Sequence, residues 1–554
     1  MADLKEVKSA KPVLRNSKHD YSAIAWPYTV VFSSRPPIAT PCNTGFRFSH
    51  RGGAMPGIFT ETGLLPGKAA GLALPLPNQF PQVQHIREMA SERDKRLPNL
   101  AAVFDAFDIS DGQVLSFHHH YRNGEQVIAA VFRVAQSRGI KGLTLAASSL
   151  FPCHANLIPM IQDGTIAHIV TDYMRGPLAD AVQAGQLSGV AVLQSHGGRA
   201  RAISSGALRV DVAFVAAPLA HFSGAATGRG GPLACGPLGY PAVDVAYACA
   251  TVVLADQLTA APLTFVDLPA HFVDALVHFP EPGAPDGIAS GSTLPLQTPD
   301  AHAIGTLVTE IVAAAGLMVS GMSLQSGAGG YSLGAVPIIG RALSDRGLRG
   351  GFLSGGITGA HSALLAEGVF SEIFDVQCFD LDAVKSSIVN PNHKMMSAAE
   401  YASPLHLNAV VDRLDVMLLG AIEIDHAFNV NVTAGANGRI LGGPGGHPDA
   451  AQGAKLSIVT TPLTGGGWPK IVTKVRSIST EGVDVDVVVT DRGYAVNPRR
   501  KDLAKALIGL SAPHLQIEDL ARMASQLAPQ VEASSVERSR IVIEHRLGHR
   551  LDWV

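Results

Sequence analysis

The stretch Ser137-Arg-Gly-Ile-Lys-Gly-Leu-Thr-Leu145 recurs 208 residues later as Asp345-Arg-Gly-Leu-Arg-Gly-Gly-Phe-Leu353. Three further pairs follow in the same order at offsets of 204, 204 and 207 residues: Gln162-Asp-Gly-Thr-Ile166 with Ala366-Glu-Gly-Val-Phe370, Arg209-Val-Asp-Val212 with Arg413-Leu-Asp-Val416, and Gly236-Pro-Leu-Gly-Tyr-Pro241 with Gly443-Pro-Gly-Gly-His-Pro448. A glycine-rich chain can produce any one of these matches by chance. Four in one order at a nearly constant spacing indicate the tandem duplication of one domain.

The duplicated unit has the pattern of an α/β domain. From about residue 108, short β-branched runs alternate with amphipathic helical stretches, which is typical of βαβ units and a mainly parallel sheet. The seam is expected in Phe279-Pro-Glu-Pro-Gly-Ala-Pro-Asp-Gly287, since three prolines and two glycines suit a connector. The predicted organisation is an irregular leader (1–90), a first domain (91–282), a second domain (283–520) and a C-terminal helical or strand extension (521–554).

The leader differs from the rest of the chain because prolines interrupt it and no helical or strand period persists. We therefore expect an irregular, Pro-rich N-terminal arm. Met55 opens a stretch of 500 residues, so an alternative is that the natural start is Met55 and that residues 1–54 are not translated. The interrupting prolines are Pro27, Pro36, Pro37, Pro41, Pro56, Pro66, Pro75, Pro77 and Pro81.

Composition excludes several classes of protein. The 554 residues are 47% hydrophobic and only 16% charged, with 57 glycines and 35 prolines, which indicates a loop-rich globular protein. The net charge of −3 is spread along the chain, which argues against a nucleic-acid reader or a polybasic membrane binder. Asp244, Asp256 and Glu310 interrupt the longest apolar runs, and the N-terminus lacks the order of a secretory signal. No membrane-spanning segment is expected.

The cysteines give no sign of a disulfide framework or a zinc cage. They are odd in number, widely separated and never in a CxxC pair, which fits reduced thiols and a cytoplasmic protein. They are Cys42, Cys153, Cys235, Cys249 and Cys378.

Polar and glycine clusters at strand ends are the places to look for a site, because open parallel sheets bind ligands beyond the carboxyl ends of their strands. Four clusters stand out: Ser116-Phe-His-His-His-Tyr-Arg-Asn-Gly124, Gln325-Ser-Gly-Ala-Gly-Gly330, Glu423-Ile-Asp-His-Ala-Phe-Asn-Val-Asn431 and Gly442-Gly-Pro-Gly-Gly-His-Pro-Asp449.

The first cluster carries three consecutive histidines. In an extended chain His118 and His120 point to one side and His119 to the other. Adjacent ligands on opposite faces do not make a tetrahedral zinc site, so no metal is predicted. A histidine together with Arg122 can instead hold carboxylates, through imidazole hydrogen bonds and bidentate guanidinium pairing. The alternative is that these are ordinary polar loop residues.

The two glycine clusters present consecutive backbone N–H groups, which suit a phosphate or a developing oxyanion. Neither matches GxxxxGK[ST], so ATP binding is not indicated. The alternative is that both are simple turns.

The remaining cluster alternates polar and apolar residues. Glu423 and Asp425 fall on one face of a strand between isoleucines, which suits acid–base chemistry or, alternatively, the solvated face of an edge strand. Asn429 and Asn431 continue the alternation between valines and could orient a bound acid or amide. No Gly-x-Ser-x-Gly elbow supports serine-hydrolase chemistry.

With these motifs the sequence resembles the alpha subunit of bacterial citrate lyase, a citrate:acetyl-acyl-carrier-protein transferase of the CoA-transferase superfamily. The resemblance runs from about Leu97 to Leu503. It includes Ser116-Phe-His-His, Leu143-Thr-Leu-Ala, Arg175-Gly-Pro-Leu-Ala, Ser195-His-Gly-Gly-Arg199, Asp375-Val-Gln, Asn390-Pro-Asn-His393, Val411-Asp-Arg-Leu-Asp-Val416, Glu423-Ile-Asp, Phe428-Asn-Val-Asn-Val432, Gly445-Gly-His447 and Val496-Asn-Pro498.

The resemblance implies two CoA-transferase-like domains and a citrate CoA-transferase activity within an ATP-independent citrate lyase complex. This subunit would exchange the acetyl group on a carrier thioester for citrate, giving citryl-thioester and acetate. The implied partners are a gamma subunit, which is the acyl carrier protein, and a beta subunit, which cleaves citryl-thioester to oxaloacetate. The CoA-derived phosphopantetheine-type prosthetic group would sit on the carrier. No cofactor is expected to be bound covalently to this chain, and acetyl-CoA would act as a surrogate substrate.

The sequence departs from the covalent CoA-transferases at one informative turn. Those enzymes carry a nucleophilic glutamate in Ser-Glu-Asn-Gly, whereas Gly327 stands at that position in Gln325-Ser-Gly-Ala-Gly329. Their Gly-rich oxyanion loop is likewise replaced by Ser116-Phe-His-His-His120. These departures favour direct attack of a citrate carboxylate on the acetyl thioester through a mixed anhydride.

The resemblance and the strand-end argument together give a set of expected site residues. His118, His119 and Arg122 would bind citrate carboxylates or the oxyanion, while Glu423 would orient a hydrogen bond or act as an alternative nucleophile. The turn amides would bind the thioester oxygen, and the Gly445–His447 segment would lie along the carrier's prosthetic arm. The expected catalytic residues are His118, His119, Arg122, Gln325, Ser326 and Glu423. The expected substrate- and thioester-binding residues are Arg175, Arg199, Gly327, Gly329, Gly330, Asn429, Asn431, Gly445, Gly446 and His447.

Two other functions stay open at this point. A related acid such as citramalate differs from citrate by too little to leave a trace in the motifs. The same architecture could also serve as a non-catalytic metabolite-binding module, since a fold does not fix a function. A sensor would usually carry an output element such as a helix-turn-helix, and the sequence contains no recognisable one.

Overall fold

The computed structural model describes residues 94–289, 293–528 and 541–554. The expected irregular leader, the possible start at Met55 and Cys42 lie outside the described residues.

Strands account for most of the buried framework. In chain order they are β1 (Arg96–Leu97), β2 (Val114–Phe117), β3 (Leu143–Ala147), β4 (Ile166–Thr171), β5 (Ala191–Leu193), β6 (Val212–His221), β7 (Ala226–Thr227), β8 (Ala250–Thr259), β9 (Ala275–His278), β10 (Leu324–Ser326), β11 (Gly350–Ile357), β12 (Phe370–Cys378), β13 (His393–Met395), β14 (Val416–Leu419), β15 (Glu423–Asp425), β16 (Val430–Asn431), β17 (Leu456–Thr460), β18 (Thr464–Gly465), β19 (Trp468–Pro469), β20 (Ile471–Val472), β21 (Val487–Thr490), β22 (Gly493–Val496), β23 (Ile541–Glu544) and β24 (Arg550–Trp553).

Helices cover the sheets and connect the parallel strands. In chain order they are α1 (Leu100–Ala106), α2 (Val127–Ser137), α3 (Ile158–Gln162), α4 (Pro177–Gln183), α5 (His196–Ser204), α6 (Pro241–Tyr247), α7 (Pro299–Ala314), α8 (Gly330–Asp345), α9 (Gly359–Ala366), α10 (Leu381–Val389), α11 (Ala398–Ala402), α12 (His447–Gly453), α13 (Lys501–Ala506) and α14 (Ile517–Leu527).

Two large sheets organise the described chain. The first has the order β1-β9-β8-β6-β2-β3-β4-β5-β23-β24, and β7 pairs with β6. The second has the order β13-β12-β11-β10-β14-β17-β21-β22. Two small sheets, β16-β15-β20 and β18-β19, complete the strand pairing. Strands such as Ala-Thr-Val-Val-Leu-Ala at the start of β8 are buried over six consecutive residues, as expected for parallel strands covered on both faces.

The two sheets have the same topology, which confirms the predicted duplication. The first contains the parallel series β9-β8-β6-β2-β3-β4-β5, and the second contains β21-β17-β14-β10-β11-β12-β13. Strands at matching places keep the spacing of the sequence repeat. Ile166 begins β4 and Phe370 begins β12, while Val212 begins β6 and Val416 begins β14, each pair 204 residues apart. The α/β class with mainly parallel sheets is confirmed, whereas the exact domain boundaries stay a prediction.

The C-terminal segment returns to the first sheet. β23 pairs in parallel with β5, placing Ile541 opposite Ala191, and β24 pairs with β23 in the antiparallel sense. The first sheet therefore contains strands from both ends of the described chain.

The two halves meet at the carboxyl ends of the first sheet. Ser195 bridges to Gly445 in a parallel pairing, and the helices α5 and α11 pack against each other. The segment that the sequence marks as a connector contacts the turn after β2, since the Ala284 amide donates to the Gly124 carbonyl at 2.9 Å. Residues of both halves are thus brought to one edge of the first sheet.

Two expectations from composition can be compared with the described residues. None of the helices within 94–289, 293–528 and 541–554 combines the length and apolar character needed to cross a membrane. The four cysteines in these ranges, Cys153, Cys235, Cys249 and Cys378, form no disulfide with one another.

Candidate active site

Four neighbouring strands of the first sheet end in polar side chains. His119 follows β2, Ser148 follows β3, Asp172 follows β4 and His196 follows β5. Because these strands are adjacent and parallel, their carboxyl ends lie at one edge of the sheet. The side chains there form one connected group.

His119 links both halves of the chain. Its Nδ1 lies 2.5 Å from the Ser148 hydroxyl, and its backbone carbonyl accepts a hydrogen bond from Gln377 Nε2 of β12 at 2.9 Å. Burial lowers the pKa of His119 well below its ordinary value, and the charges of His196 and Arg122 act in the same direction. The imidazole is therefore neutral near pH 7 and can form hydrogen bonds without adding charge.

Arg122 supplies a buried cation beside His119. Its backbone is left-handed, with φ of 51°, and its guanidinium lies 5.1 Å from the Phe151 ring and 4.5 Å from the Phe379 ring. Burial lowers its pKa to about 10, and nearby Arg175 contributes to the lowering while Tyr173 opposes it. Arg122 therefore remains charged near pH 7, and Arg175 brings a second guanidinium to this edge of the sheet.

His196 and Asp172 form a hydrogen-bonded pair. His196 Nδ1 lies 2.8 Å from Asp172 Oδ2, and the histidine side chain is 16% exposed while the carboxylate is fully buried. The ring of Tyr240 packs against both site histidines, with its centroid 4.9 Å from that of His196 and 4.8 Å from that of His119. Burial raises the pKa of Asp172 to about 6, although His196 pulls it down.

A glycine turn from the second half closes against this group. The Gly445 amide donates to the Asp172 carbonyl at 3.1 Å, and the His196 amide donates to the Gly445 carbonyl at 3.0 Å. A Cβ atom on Gly446 would lie 2.3 Å from the Tyr401 hydroxyl, and one on Gly443 would lie 2.4 Å from the Asp172 carbonyl. Only glycine permits so close an approach of the two halves.

Several buried polar atoms of this group lack a partner. Within the residues that the structure describes, the Tyr240 hydroxyl, Asp172 Oδ1 and Gln377 Oε1 are buried and accept or donate no hydrogen bond. Leaving such a group unsatisfied costs roughly 1–3 kcal/mol, so a cluster of them is uncommon in a purely structural region. Tyr240 lies near the Arg122 guanidinium, so these atoms suit a polar, anionic ligand.

This arrangement is capable of binding carboxylates and moving protons. It combines two cations, a neutral imidazole and a histidine–carboxylate pair at strand ends, with a close glycine turn opposite. The chemistry that such groups support is acyl transfer involving an acid substrate.

Comparison with known proteins gives the family. The family described as "Citrate lyase, alpha subunit (CitF)" matches residues 94–554. The citrate lyase alpha chain of Klebsiella pneumoniae is 37% identical over 471 residues, covering 84% of this chain and 93% of that protein. The chain belongs to the citrate lyase alpha-subunit family. The resemblance noted in the sequence is confirmed.

Solved structures agree with the family and the fold. A citrate lyase alpha subunit from Streptococcus mutans, solved in complex with citrate, superimposes with a TM-score of 0.82 at 35% identity, covering 85% of this chain and 93% of that chain. A Pseudomonas malonate decarboxylase hetero-tetramer solved with malonate contains a chain with a TM-score of 0.56 at 16% identity, covering 79% of this chain and 88% of that chain. The second likeness concerns the fold alone.

Arg199 and His118, two of the expected site residues, lie in a separate buried cluster of ion pairs. Arg199 donates from both Nη atoms to Asp244 at 2.8 and 2.7 Å, His118 Nε2 lies 3.2 Å from the same carboxylate, and Ser116 donates to it as well. Burial alone would raise the pKa of Asp244, but Arg199 and His118 outweigh it and hold that pKa far below its usual range. The Arg199 guanidinium is therefore already committed to an internal partner.

The three histidines divide as the alternation predicts. The rings of His118 and His120 stack with 3° between their planes, and His120 Nε2 donates to the Ala216 carbonyl at 2.9 Å. Burial, with His118 nearby, lowers the pKa of His120 to about 3. His119 alone of the three contacts the group formed by Tyr240 and His196.

Gln325 reaches the candidate site through a tyrosine. Its Nε2 donates to the Tyr401 hydroxyl at 2.7 Å, and its Oε1 accepts from Ser354 at 3.0 Å. The Tyr401 ring in turn lies 6.3 Å from the ring of His196. The end of β10 is thus placed close to the strand ends of the first sheet.

Ser326 pairs with a histidine that cannot activate it. His361 Nε2 lies 3.0 Å from the Ser326 hydroxyl, while His361 Nδ1 accepts the Thr358 amide at 3.2 Å. Burial lowers the pKa of His361 to about 4, so the neutral ring carries its proton on Nε2 and donates it to Ser326. A histidine in this tautomer does not act as a base toward the serine.

The glycines of the second cluster differ in what their amides do. The Gly327 amide donates to the Leu418 carbonyl at 2.7 Å and so is not available to a ligand as it stands. Gly329 precedes the first residue of α8 and Gly330 begins this 16-residue helix, whose first amides have no acceptor within the helix. Gly329 and Gly330 therefore stay the candidates for the expected donor role.

Glu423 is buried and held by internal donors. It is 7% exposed, and its Oε2 accepts from Asn431 Nδ2 at 2.9 Å and from the Arg476 amide at 3.1 Å. Lys470 lies close enough for Glu423 to oppose the lowering of the lysine pKa, which burial brings to about 8. The alternative of a solvated edge-strand face is wrong, because Glu423 and Asp425 are buried and β15 is the middle strand of its sheet.

Asp425 and Asn429 hold a turn together. Asp425, 3% exposed, accepts the amides of Ala427 and Asn429, each at 3.0 Å, and the Asn429 side chain at 3.2 Å. The Asn429 side-chain oxygen, Oδ1, accepts the Gly482 amide at 2.9 Å. The alternation of polar residues in this segment therefore reflects internal hydrogen bonding of buried polar groups.

His447 also has internal partners on both ring nitrogens. Nε2 donates to the Gly420 carbonyl at 2.9 Å, and Nδ1 accepts from the Thr480 hydroxyl at 2.7 Å. Burial lowers its pKa to about 4. A Cβ on Gly329 would lie 3.7 Å from the Gly420 α-carbon, so His447 supports the backbone against which the second glycine turn packs.

Another buried cluster has the composition of a metal site but is closed by its own hydrogen bonds. Asp375 Oδ2 accepts from Cys378 and from His393, each at 3.0 Å. Burial and the nearby Asp375 raise the pKa of the Cys378 thiol well above its ordinary value. The thiol is therefore protonated in this arrangement, in which it donates to Asp375.

Sequence reasoning missed four members of the candidate site. Asp172 directly follows β4, and His196 lies three residues after the end of β5 inside the quoted Ser195-His-Gly-Gly-Arg199 motif, so the strand-end rule could have selected both. Tyr240 lies in the repeat segment Gly236–Pro241, just before α6, but the repeat gave no reason to assign it a role, and nothing in the local sequence distinguishes Tyr401 of α11.

Proposed function

We propose that this chain exchanges the acetyl group of an acyl-carrier thioester for citrate, giving citryl-thioester and acetate. The observation that carries the proposal is the pair Arg122 and Arg175, next to neutral His119, at the edge where the two halves meet. Guanidinium groups bind carboxylates with bidentate hydrogen bonds, and citrate carries three carboxylates. Membership of the citrate lyase alpha-subunit family supports the same reaction.

The exchange is proposed to run through a mixed anhydride. A citrate carboxylate oxygen attacks the acetyl carbonyl carbon, the carbon–sulfur bond breaks, and the thiolate then attacks the citryl carbonyl as acetate leaves. Gly327 offers no side chain at the position of the covalent enzymes' glutamate, and Glu423 is engaged by Asn431 and Arg476. Because neither Gly327 nor Glu423 is suited to covalent attack, holding both acyl groups in place is the main contribution, and proximity is worth roughly 7–11 kcal/mol.

The residue roles follow from this scheme. Arg122, Arg175 and His119 bind the citrate carboxylates, and the amides of Gly329 and Gly330 bind the thioester oxygen. Gly445 and Gly446 line the path of the carrier's prosthetic arm. The remaining expected residues have supporting roles through the internal contacts described above.

The proposed partners are those of the complex. A gamma subunit, the acyl carrier protein, would bring the CoA-derived phosphopantetheine-type prosthetic group, and a beta subunit would cleave the citryl-thioester. Coenzyme A derivatives would substitute for the carrier because the same pantetheine arm presents the thioester.

A thioester-exchange assay on the purified chain tests the proposal. Acetyl-CoA is incubated with citrate and, separately, with citramalate, and the acyl-CoA products are identified by mass spectrometry. Citryl-CoA formed from citrate is the expected result. Preferential formation of citramalyl-CoA would overturn the assignment of the acid, and no exchange with either acid, even with acetylated carrier protein, would overturn the transferase.

The route is tested separately by trapping. The chain is incubated with acetyl-CoA alone, treated with hydroxylamine or borohydride, and digested for mass mapping, with Glu423→Gln as the matched variant. We expect no modification of Glu423. A hydroxamate or reduced residue there, absent in the variant, would replace the anhydride route by a covalent one.

A further inference from the structure

The pair His196–Asp172 lies beside the groups proposed to bind citrate, but binding the two acyl groups does not require it. Resting on the proposed function, we infer that His196 is the proton carrier of the reaction, giving a proton to the sulfur when it leaves and taking it back when the sulfur returns. Asp172 is its positioning residue.

The geometry orients the imidazole in one way. Asp172 Oδ2 lies 2.8 Å from Nδ1, so the carboxylate fixes the ring and favours a proton on that nitrogen. Nε2 is left as the nitrogen that can exchange a proton with a substrate. A histidine held by a buried carboxylate is the arrangement that general acid–base catalysis uses.

Nε2 also faces a space that only glycine leaves open. A Cβ atom on Gly445 would lie 3.4 Å from Nε2, and any longer side chain would occupy the space in front of it. The His196 side chain keeps 16% exposure, whereas Asp172 has none. A substrate atom can therefore reach the imidazole but not the carboxylate behind it.

The neighbours of the ring suit a group that changes its protonation state. Rings of Tyr240, Tyr401 and His119 surround it at centroid distances of 4.9, 6.3 and 6.5 Å. The aromatic walls hold the imidazole in place without competing for Nε2. The buried Tyr240 hydroxyl, which has no partner among the described residues, is available to a bound oxygen or sulfur nearby.

The proton balance closes over the two steps. In the first, the citrate oxygen bonds to the acetyl carbon, the carbon–sulfur bond breaks, and the proton on Nε2 of the imidazolium moves to the sulfur. In the second, Nε2 takes that proton back as the sulfur bonds to the citryl carbon and the anhydride oxygen leaves with acetate. His196 returns to its starting state, and no other reactant is needed.

The test varies the leaving group. Exchange with acetyl-CoA is compared with exchange from the acetyl thioester of 4-nitrothiophenol, whose thiolate leaves without protonation. For His196→Gln we expect kcat/KM with acetyl-CoA to fall by about 10²- to 10⁴-fold, the usual range for a general acid. With the aryl thioester the loss should be less than about tenfold, because the acid is no longer needed.

Two further variants make the result decisive. Asp172→Asn should show the same dependence on the leaving group, with a smaller loss of kcat/KM. If His196→Gln does not fold, the result for Asp172→Asn decides whether His196 carries the proton. The matched control is His221→Gln, a substitution of the same kind at the end of β6, where the ring contacts Ser223 and Ala260. The control should leave both rates within about twofold, as for a surface substitution.

The outcomes separate this inference from the proposed function. If wild-type protein exchanges acetyl-CoA with citrate but His196→Gln and Asp172→Asn lose equal factors with both thioesters, the proton-carrier role is wrong and the transferase stands. Small, equal effects on both substrates would overturn it in the same way. If the wild type exchanges with neither CoA nor acetylated carrier, it is the function itself that fails.

Discussion

The turn after β2 and the turn after β10 stand at the same place in two sheets of the same topology, but they carry different chemistry. The first contains three histidines and Arg122, and the second contains glycines followed by the start of α8. One copy contributes oriented side chains and a cation, and the other contributes backbone amides. Duplication thus provides two sheets of the same topology. Because their turns have diverged, the two halves bring different groups to the edge where they meet.

An asymmetric edge suits a reaction with two unlike participants. An acid with several carboxylates needs cations, whereas a thioester carbonyl needs neutral donors for the oxygen that becomes negative. The comparison also separates residues that look alike in the sequence. Arg122 lies at the shared edge, but Arg199 forms an ion pair with Asp244 inside the first half.

The largest expected effect concerns that internal ion pair. Arg199→Met would leave the buried Asp244 without its main partner, and breaking such a pair costs about 3–5 kcal/mol of the free energy of unfolding. Thermal melting measures the loss, with Arg175→Met as the control that should melt close to wild type. Unchanged melting together with weaker citrate binding would place Arg199 in the substrate site instead.

The next effect tests whether the second turn acts through its backbone. Gly329 has φ of −74°, which proline accepts, so Gly329→Pro removes the amide hydrogen with little change of backbone angle. We expect kcat to fall by about 10²- to 10³-fold, as for the loss of one oxyanion donor. Gly329→Ala keeps the amide and meets no atom closer than 3.7 Å, so it should retain activity. Equal behaviour of the two variants would remove this amide from the mechanism.

A smaller effect is expected from the cation of the first turn. Arg122→Gln should raise the KM for citrate by about 10- to 100-fold, the equivalent of one or two charge-assisted hydrogen bonds, and leave the KM for acetyl-CoA nearly unchanged. Arg138→Gln, at a surface arginine paired with Asp105, is the control for loss of positive charge. If citrate dependence does not change in Arg122→Gln, the role assigned to this residue is wrong.

The effect that is smallest per unit of change is a dependence of stability on pH, to which buried histidines of the second half contribute. Burial holds the pKa of His361 and of His447 at about 4, below the value near 6.5 of the unfolded chain. As the pH falls from 6.5 towards 4 the unfolded state binds more protons than the folded state, so stability decreases by about 1.4 kcal/mol per pH unit for each histidine. The free energy of unfolding, measured by denaturant titration at several pH values, should change less steeply with pH in His361→Gln than in wild type. If this pH dependence is the same in the variant and in wild type, His361 is protonated in the folded protein over this pH range.

The fold could be predicted to a large extent because its evidence is spread along the chain. The repeat seen at Arg209–Val212 and Arg413–Val416 marks the starts of the equivalent strands β6 and β14. Connections between parallel strands allow few topologies, so a duplicated βαβ pattern leaves little choice. The return of β23 to the first sheet was beyond this reasoning, since strand order is decided by packing between distant segments.

The site could be predicted only in part, for a related reason. The strand-end rule selected His119 and Arg122, which lie at the shared edge, but the same rule applied to Glu423 selected a carboxylate whose partners are Asn431 and a backbone amide. The alternation of polar and apolar residues shows on which face of a strand a polar side chain lies, but it does not show which groups that side chain contacts. Whether a side chain faces a cleft or an internal donor depends on elements many residues away.

The position of β23 also has a consequence for biosynthesis. Its neighbour β5 ends at Leu193, so the ribosome must add roughly 350 further residues before the partner strand at Ile541 is made. At about 5–20 residues per second this takes on the order of 20 to 70 seconds. During that time the nascent first half exposes an unpaired strand edge, which is the kind of surface that invites wrong pairing. We expect translation to be the period in which this protein most needs the protection of a chaperone.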